Sequence, residues 1–238
     1  MIALLLAAGF GTRLKPLTNN RPKCLMSICD KTLLQHWLDE LFNRDIKKVF
    51  INSHYLSNQV EDFVCSSIYK DKIELFYEEN LLGTAGTLVK NIDKFLSYDE
   101  DILVAHADNF FLGDFSSFFN LHSHRPRDCL ITMLAFRTKK PMECGIIKLN
   151  KMNVLENFYE KVKENHGDLA SGACMIFSNE SLSIIKRDLA YAKDISLDII
   201  PNFLKKIYVY EHESAYLDIG SPETLEYANK NLCNGSVK

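Results

Sequence analysis

The residues best suited to chemistry lie near the start of the chain, in Leu6-Ala-Ala-Gly-Phe-Gly-Thr-Arg-Leu-Lys-Pro-Leu-Thr-Asn-Asn-Arg-Pro-Lys23. Small residues and two glycines let backbone N–H groups come close to an anion. Arg13 adds a planar fork that matches phosphate oxygens, and Lys23, placed after Pro22, adds a compact point charge. Two familiar glycine loops do not fit. A dinucleotide fingerprint wants a third glycine where Leu14 stands, and a P-loop closes on Gly-Lys-Ser/Thr, whereas Gly11 is followed by Thr12-Arg13. What remains is a phosphate-binding loop that carries its own arginine. Asp108 is a further candidate: it follows the apolar run Asp101–Ala105, and ligand chemistry in open α/β sheets gathers at strand ends.

Such residues need a frame that brings strand ends together. Short apolar runs alternate with amphipathic stretches, the pattern of βα units feeding a parallel sheet. It predicts strands over Ile2–Ala7, Val49–Asn52, Ile73–Tyr77, Asp101–Ala105 and Cys129–Phe136. Helices are expected over Leu33–Phe42, around Gln59–Val64, and over Ala85–Phe95 and Asp114–His122. The second half reads as strands Gly145–Leu149, Val154–Tyr159, Cys174–Phe177 and Ile207–Tyr210, with helices over Ser181–Leu189, Ser196–Leu204 and Ser221–Asn229. Ser-Pro-Glu opens the last of these, a good helix start. The expected fold is α/β and Rossmann-like: a mixed, mainly parallel central sheet flanked by helices, in one domain over 1–233, with a frayed tail over 234–238.

Composition narrows the class. With 238 residues, 47% hydrophobic and 25% charged, the chain can bury a sizeable core. A net charge of −3 and a pI of about 6.2 give no global field toward nucleic acid or an anionic membrane, so neither is an expected partner and any phosphate site must be local. The apolar start lacks a basic leader region, so neither a signal peptide nor a membrane span is expected. Seven cysteines, at 24, 29, 65, 129, 144, 174 and 233, form no C-x-x-C pair, which predicts reduced thiols and a cytoplasmic setting. His122 and His124 have no further ligands nearby in sequence and are expected at the surface, away from any metal.

The opening segment closely resembles the signature of sugar-1-phosphate nucleotidyltransferases, Gly-x-Gly-Thr-Arg-Leu-x-Pro-Leu-Thr-x-x-x-Pro-Lys-Pro-Leu, departing from it at Ala8 and Cys24. The resemblance continues in Asn52-Ser-His-Tyr-Leu56, Gln59-Val-Glu-Asp62, Glu78-Glu-Asn-Leu-Leu-Gly-Thr-Ala-Gly86 and Asp108. It extends to Glu143-Cys-Gly-Ile-Ile147, Phe158-Tyr-Glu-Lys161, Ala170-Ser-Gly-Ala-Cys-Met-Ile-Phe177 and Tyr216-Leu-Asp-Ile-Gly-Ser-Pro-Glu223. The chain looks most like the mannose-1-phosphate guanylyltransferase branch. It departs at Ala107, where glycine is usual, at Val162 in place of proline, and at Ser171 in place of asparagine.

This resemblance implies a GT-A-like arrangement with a small sugar-binding β subregion, a nucleotide-binding half over about 1–110 and an acceptor-binding half over about 111–233. By the same resemblance, Leu6, Ala7, Ala8, Gly9, Gly11, Thr12 and Arg13, with Glu79, Gly83, Thr84 and Ala85, bind the nucleotide, and Thr84 can also cap the following helix. Arg13 and Lys23 are the catalytic cations; Asn109, Gly145, Glu160, Lys161, Ser171 and Gly172 hold the acceptor; Asp108 and Asp218 hold Mg²⁺.

The implied reaction is attack by a sugar-1-phosphate oxygen on the α-phosphorus of a nucleoside triphosphate, with release of pyrophosphate. Guanine offers N–H donors to Glu78 or Glu79, while backbone groups in the same turn could read uracil or cytosine; it is the resemblance to the guanylyltransferase branch that favours a GDP-linked product. Uridylyl and cytidylyl transfer to another phosphorylated acceptor stay open, as does a non-catalytic nucleotide-sugar-binding regulatory subunit. So does assembly into a homo-oligomer. The short stretch after Asp218 is expected to exclude the β-helical tail of longer relatives.

Overall fold

The computed structural model describes residues 1–162 and 164–233, so the expected tail over 234–238 lies outside the described residues. In chain order the elements begin β1 (Ile2–Leu6), β2 (Ser27–Ile28), β3 (Lys31–Thr32), α1 (Leu33–Phe42), β4 (Val49–Ser53), α2 (Ser57–Ser66), β5 (Ile73–Tyr77), α3 (Thr84–Lys90) and α4 (Ile92–Leu96). They continue with β6 (Ile102–His106), β7 (Asn109–Phe111), α5 (Ser116–Ser123), β8 (Ile131–Arg137), β9 (Gly145–Leu149), β10 (Leu155–Glu160) and β11 (Leu169–Phe177). The last are α6 (Asn179–Asp188), β12 (Ile207–Glu211), β13 (Tyr216–Asp218) and α7 (Pro222–Asn231). The α/β architecture with a mixed sheet flanked by helices is the one expected from the alternation of apolar runs. No helix among the described residues is long and apolar enough to cross a membrane.

Contacts divide the chain into two compact units. One comprises Ala3–Leu81, His106–Asp114 and Ser214–Cys233. Here β4 lies between β1 and β5 and runs parallel to both, with Leu5 beside Ile51 and Ile51 beside Leu75. β4 is buried along its whole length: Val49, Phe50 and Ile51 supply apolar surface, and the polar Asn52 and Ser53 close the strand. Helix α1 presents Leu34, Trp37, Leu38 and Leu41 to the core, and the Thr32 hydroxyl caps it by accepting the Gln35 N–H at 3.0 Å. Two short antiparallel ladders complete the unit: β2 with β3, and β7 with β13. Leu14, Met26, Ile28, Leu33, Phe110, Ile219, Ala228 and Leu232 form one apolar cluster that ties both ladders to α7.

Cys29 and Cys233 form a disulfide at the edge of that cluster, and the other five cysteines form no disulfide. The expectation that all seven are reduced is corrected here. The partners are 204 residues apart, and a pairing made only by the fold leaves no spacing pattern to read.

The other unit comprises Met1–Ile2, Leu82–Ala105 and Phe115–Glu213. Its long strand β11 pairs antiparallel with β6 and β8, and at Ala170 with β9; β10 pairs antiparallel with β9, and β12 runs parallel to β8. The helix expected over Ala85–Phe95 is two helices. Asn91 separates them, and its side-chain amide donates to the Thr87 carbonyl at 2.9 Å, the local competition that makes asparagine a poor helix interior. The helix expected over Ser196–Leu204 is a π-helical turn, Ile195–Ile199, followed by a 3₁₀ turn, Ile200–Phe203. Pro201 has no N–H with which to continue an α-helix.

His122 is not at the surface. It is 3% exposed, with Nδ1 at 2.7 Å from the Thr132 hydroxyl and Nε2 at 2.9 Å from Asp101. It lies on the buried face of α5, where its two ring nitrogens are satisfied, while His124 is exposed as expected.

Candidate active site

Strand β1 delivers the chain into the glycine loop, and the loop is held from several sides. Gly11 has φ 62°, and a Cβ there would come within 2.9 Å of the Thr18 methyl, so the turn needs glycine. The Thr18 hydroxyl donates to the Gly11 carbonyl at 2.7 Å, and the Tyr55 hydroxyl donates to the Thr18 carbonyl at 2.9 Å. Phe10 packs its ring against His54 and Tyr55, while Gly9 faces open space. Thr12 and Arg13 are exposed, and Leu14 is buried in the apolar cluster below them. The loop is thus anchored by its hydrophobic members, with its Gly9 side open to an anion.

The Ala7 N–H donates to Asn52 Oδ1 at 2.6 Å, and Asn52 Nδ2 donates to Glu78 Oε1 at 2.9 Å. Both Asn52 and Glu78 are buried, and Glu79 beside them is exposed. The resemblance gave Asn52 no role of its own. Its signal in the sequence is an amide closing an otherwise apolar strand, which must find partners for both ends once buried.

The charged residues singled out from sequence meet in this same unit. Lys23 follows Pro22 in a short 3₁₀ turn and is only 9% exposed. Its Nζ lies 2.6 Å from Asp108 Oδ2 and 2.9 Å from Asp218 Oδ1, and Arg13 Nη2 lies 3.1 Å from Asp218 Oδ2. The β7–β13 ladder sets this geometry. It pairs Asp218 with Asn109, and the Ile219 N–H donates to the Asp108 carbonyl at 3.2 Å. A one-residue slip in that ladder would turn Asp218 to the opposite face. Gly220 gives the pair room: a Cβ there would stand 2.9 Å from both Arg13 Nη2 and Asp218 Oδ2.

Electrostatics follow from the contacts. Burial favours the neutral form of Lys23, but the carboxylates of Asp108 and Asp218 outweigh it and hold its pKa above the ordinary lysine value. Burial likewise favours neutral Asp218, and Lys23 followed by Arg13 outweighs it, so Asp218 stays ionised below the usual carboxylate range. Asp108 Oδ1 is buried and has no hydrogen-bond partner. Two converging carboxylates with one unpartnered oxygen suit a hard divalent cation. No cluster of three or more His, Cys, Asp or Glu suited to a metal occurs among the described residues, so the remaining positions would fall to water and phosphate, as Mg²⁺ prefers. Asn109 is buried beside the pair, and its side-chain amide donates to the Tyr216 hydroxyl at 3.0 Å within the β7–β13 ladder.

Apart from Asn109, the acceptor candidates lie in the other unit. Gly145 opens β9 directly opposite Glu160, and a Cβ on Gly145 would come within 2.7 Å of Glu160 Oε2. Lys161 follows with φ 49° and places Nζ 3.0 Å from Glu160 Oε1. Ser171 and Gly172 sit on β11, where the Ser171 hydroxyl accepts the Ala173 N–H at 3.3 Å. Gly83, Thr84 and Ala85 open α3 against Lys193, whose carbonyl accepts the Ala85 N–H at 3.0 Å. Thr84 does not cap this helix: its hydroxyl oxygen accepts the Ile195 N–H at 2.8 Å instead.

Comparison with known proteins agrees with these motifs. The model of the nucleotidyl transferase family matches residues 2–235. A Sulfolobus acidocaldarius protein assigned as a mannose-1-phosphate guanyltransferase is 28% identical over 97% of this chain and 62% of its own length. The Drosophila melanogaster mannose-1-phosphate guanylyltransferase catalytic subunit beta is 25% identical over 93% of this chain and 60% of its own. The chain therefore spans about six-tenths of the length of these curated relatives. A Bacillus anthracis crystal structure assigned as a glucose-1-phosphate thymidylyltransferase shares the fold, with a TM-score of 0.87 at 21% identity over 100% of this chain and 97% of that one. A family model that covers nearly every residue, together with a shared fold over the whole length, settles the kinship: the chain belongs to the nucleotidyl transferase family.

Proposed function

We propose that this chain transfers a nucleotidyl group from a nucleoside triphosphate to a sugar 1-phosphate, with Mg²⁺, releasing pyrophosphate. The observation that carries this reading is the Lys23 ammonium set between Asp108 and Asp218, with Arg13 on Asp218 and the open glycine loop in the same unit. The attacking phosphate is ionised at neutral pH, so the step needs no protein nucleophile. It needs two anions aligned and the charge on the leaving pyrophosphate stabilised.

In this reading Leu6–Arg13 wraps the nucleotide phosphates, Arg13 steadies the leaving pyrophosphate and Lys23 neutralises charge at the reacting phosphates. Asp108 and Asp218 would hold Mg²⁺, which when bound supplies Lewis-acid charge and a template for phosphate oxygens. Glu160 and Lys161 take the sugar hydroxyls and phosphate, with Asn109, Gly145, Ser171 and Gly172 completing the acceptor contacts. Gly83, Thr84 and Ala85 are assigned to the nucleotide, and Glu79, with an exposed carboxylate that can accept hydrogen bonds from guanine N–H groups, is assigned to the base. The preferred product is GDP-linked, with mannose or a heptose as the sugar; the names of these two relatives support GDP and mannose and do not mention a heptose.

The test is pyrophosphate release with Mg²⁺, each common triphosphate in turn and a panel of phosphorylated acceptors, with Asp108→Asn as control. Turnover with GTP and a hexose or heptose 1-phosphate, lost in the control, supports both the reaction and the base. Turnover with UTP, CTP or dTTP keeps the reaction and overturns the base. Nucleotide binding without release in any combination overturns the enzyme reading in favour of a regulatory subunit.

A further inference from the structure

The cluster holds a conflict. Asp108 and Asp218 present four carboxylate oxygens, and cationic side chains of this chain already take three of them: Lys23 on Asp108 Oδ2 and Asp218 Oδ1, and Arg13 on Asp218 Oδ2. The fourth, Asp108 Oδ1, is buried and unpartnered. A divalent cation that rests on both aspartates must take an oxygen from each. Both oxygens of Asp218 already accept from a cationic side chain, so a metal there must either share an oxygen with Lys23 or Arg13, at close like-charge range, or displace one of them. The two carboxylates and two cationic side chains also balance in charge, so a divalent cation added to the intact cluster enters with nothing to offset it.

We propose that Lys23 is an exchangeable counter-ion: a divalent cation takes its place on Asp108 and Asp218 and frees the ammonium for an incoming phosphate. This rests on the proposed reading that Asp108 and Asp218 hold the metal. Lys23 is the side chain displaced because its single ammonium spans both carboxylates, whereas Arg13 touches only Asp218 and is largely exposed. Its flexible four-carbon stem allows the head to move while Cys24, Leu25 and Met26 stay buried behind it. Cation binding and phosphate binding then help each other, because each uses what the other releases. In this view Lys23 has two tasks in sequence: it keeps two carboxylates together, and then it meets phosphate.

The first measurement uses the wild-type protein, Mn²⁺ alone and an amine-acylating reagent, with labelled peptides quantified by mass spectrometry. Acylation of Lys23 is expected to rise with Mn²⁺, while Lys31, paired with Asp39 on the surface, stays constant as the internal reference. Lys23 labelling that is flat or falls with Mn²⁺ overturns the proposal. The second measurement is Mn²⁺ affinity by paramagnetic resonance in Lys23→Met and Arg13→Met. If the ammonium holds the carboxylates about nine-tenths of the time, Lys23→Met tightens the apparent Kd about tenfold. Arg13→Met removes the same charge but only one contact, and is expected to tighten it clearly less. Equal tightening in both variants would mean simple charge repulsion and overturn the exchange. Neither measurement needs turnover, so a failed exchange and a failed transferase assignment are told apart.

Discussion

Gly220→Ala separates the role of Arg13 from the stability of the fold. The backbone at Gly220 lies outside the left-handed region, so alanine adds no strain of its own. Its methyl would stand 2.9 Å from Arg13 Nη2, 3.0 Å from Arg13 Cζ and 2.9 Å from Asp218 Oδ2, where ordinary contact begins at 3.4 Å. The guanidinium or the carboxylate must therefore move by about 0.5 Å to restore ordinary contact. A methyl wedged against both ends is expected to break their 3.1 Å contact. Both atoms end flexible side chains, so the cost in stability is small. An exposed ion pair contributes about 0–1 kcal/mol, which in a chain of this size moves Tm by no more than about 2–4 °C. The effect on rate is larger, because a positive donor aimed at developing charge typically contributes about 10²–10³-fold. We expect kcat/KM for pyrophosphate release to fall about 10²-fold and to match Arg13→Ala, with nearly unchanged thermal unfolding. Full activity in Gly220→Ala beside an inactive Arg13→Ala would refute the argument, since Arg13 would then act from elsewhere. A large fall in Tm would refute it from the other side.

Lys23→Ala is expected to lose about 10²–10³-fold in rate while keeping its far-UV dichroism, checked by kinetics and spectra on the same preparation. Gly83→Ala should behave in the opposite way to Gly220→Ala: φ there is 83° and a Cβ would stand 2.3 Å from the Lys193 backbone carbonyl, so unfolding free energy should drop by about 1–3 kcal/mol in urea titrations. His122 has its pKa lowered by burial, with the Arg125 charge adding to this against the hydrogen bond and charge of Asp101. The unfolded chain therefore binds a proton more readily, and stability is full above the ordinary value of 6.5 and declines as pH falls below it. Urea unfolding between about pH 5 and 8 should show that slope in wild type and less of it in His122→Gln. Denatured, unreduced protein should titrate five thiols and reduced protein seven; seven before reduction would remove the Cys29–Cys233 bond.

Much of the frame is legible because long apolar periods leave little choice. Helix α1 and strands β5 and β9 fall where Leu33–Phe42, Ile73–Tyr77 and Gly145–Leu149 place them in sequence. The ladders that matter most to the candidate site are not legible that way. β7 and β13 are three residues each, and β2 and β3 two, too short for any alternation to show. Asp218 is therefore visible in sequence as part of a motif, and its meeting with Asp108 follows from the resemblance alone, not from any periodicity of these strands. The same holds for Lys23, which lies 85 residues from one aspartate and 195 from the other. The surface expectation for His122 fails for a related reason: a polar residue on a helix reads as surface unless its partners, here on β8 and before β6, are known.

The charge cluster also explains why the reaction class is easier to read than the substrates. Lys23, Arg13, Asp108 and Asp218 can address only phosphates and a divalent cation, and every nucleoside triphosphate and sugar 1-phosphate offers the same ones. A site built from such groups fixes the chemistry and is indifferent to base and sugar. Selectivity must come from groups that meet donors and acceptors one at a time, where an unpaired polar atom carries a real cost. In the proposed reading those are the carboxylates Glu78 and Glu79 just after β5, and Glu160, Lys161 and Ser171 at the ends and edges of β10 and β11. Glu78 is buried and hydrogen-bonded to Asn52, so of the two glutamates only Glu79 stands exposed. Replacing Glu79 by Gln keeps its shape and swaps an acceptor for a donor. If the base is guanine, that change should weaken GTP far more than a triphosphate whose base presents an acceptor there, while leaving the Lys23 and Asp108 chemistry intact.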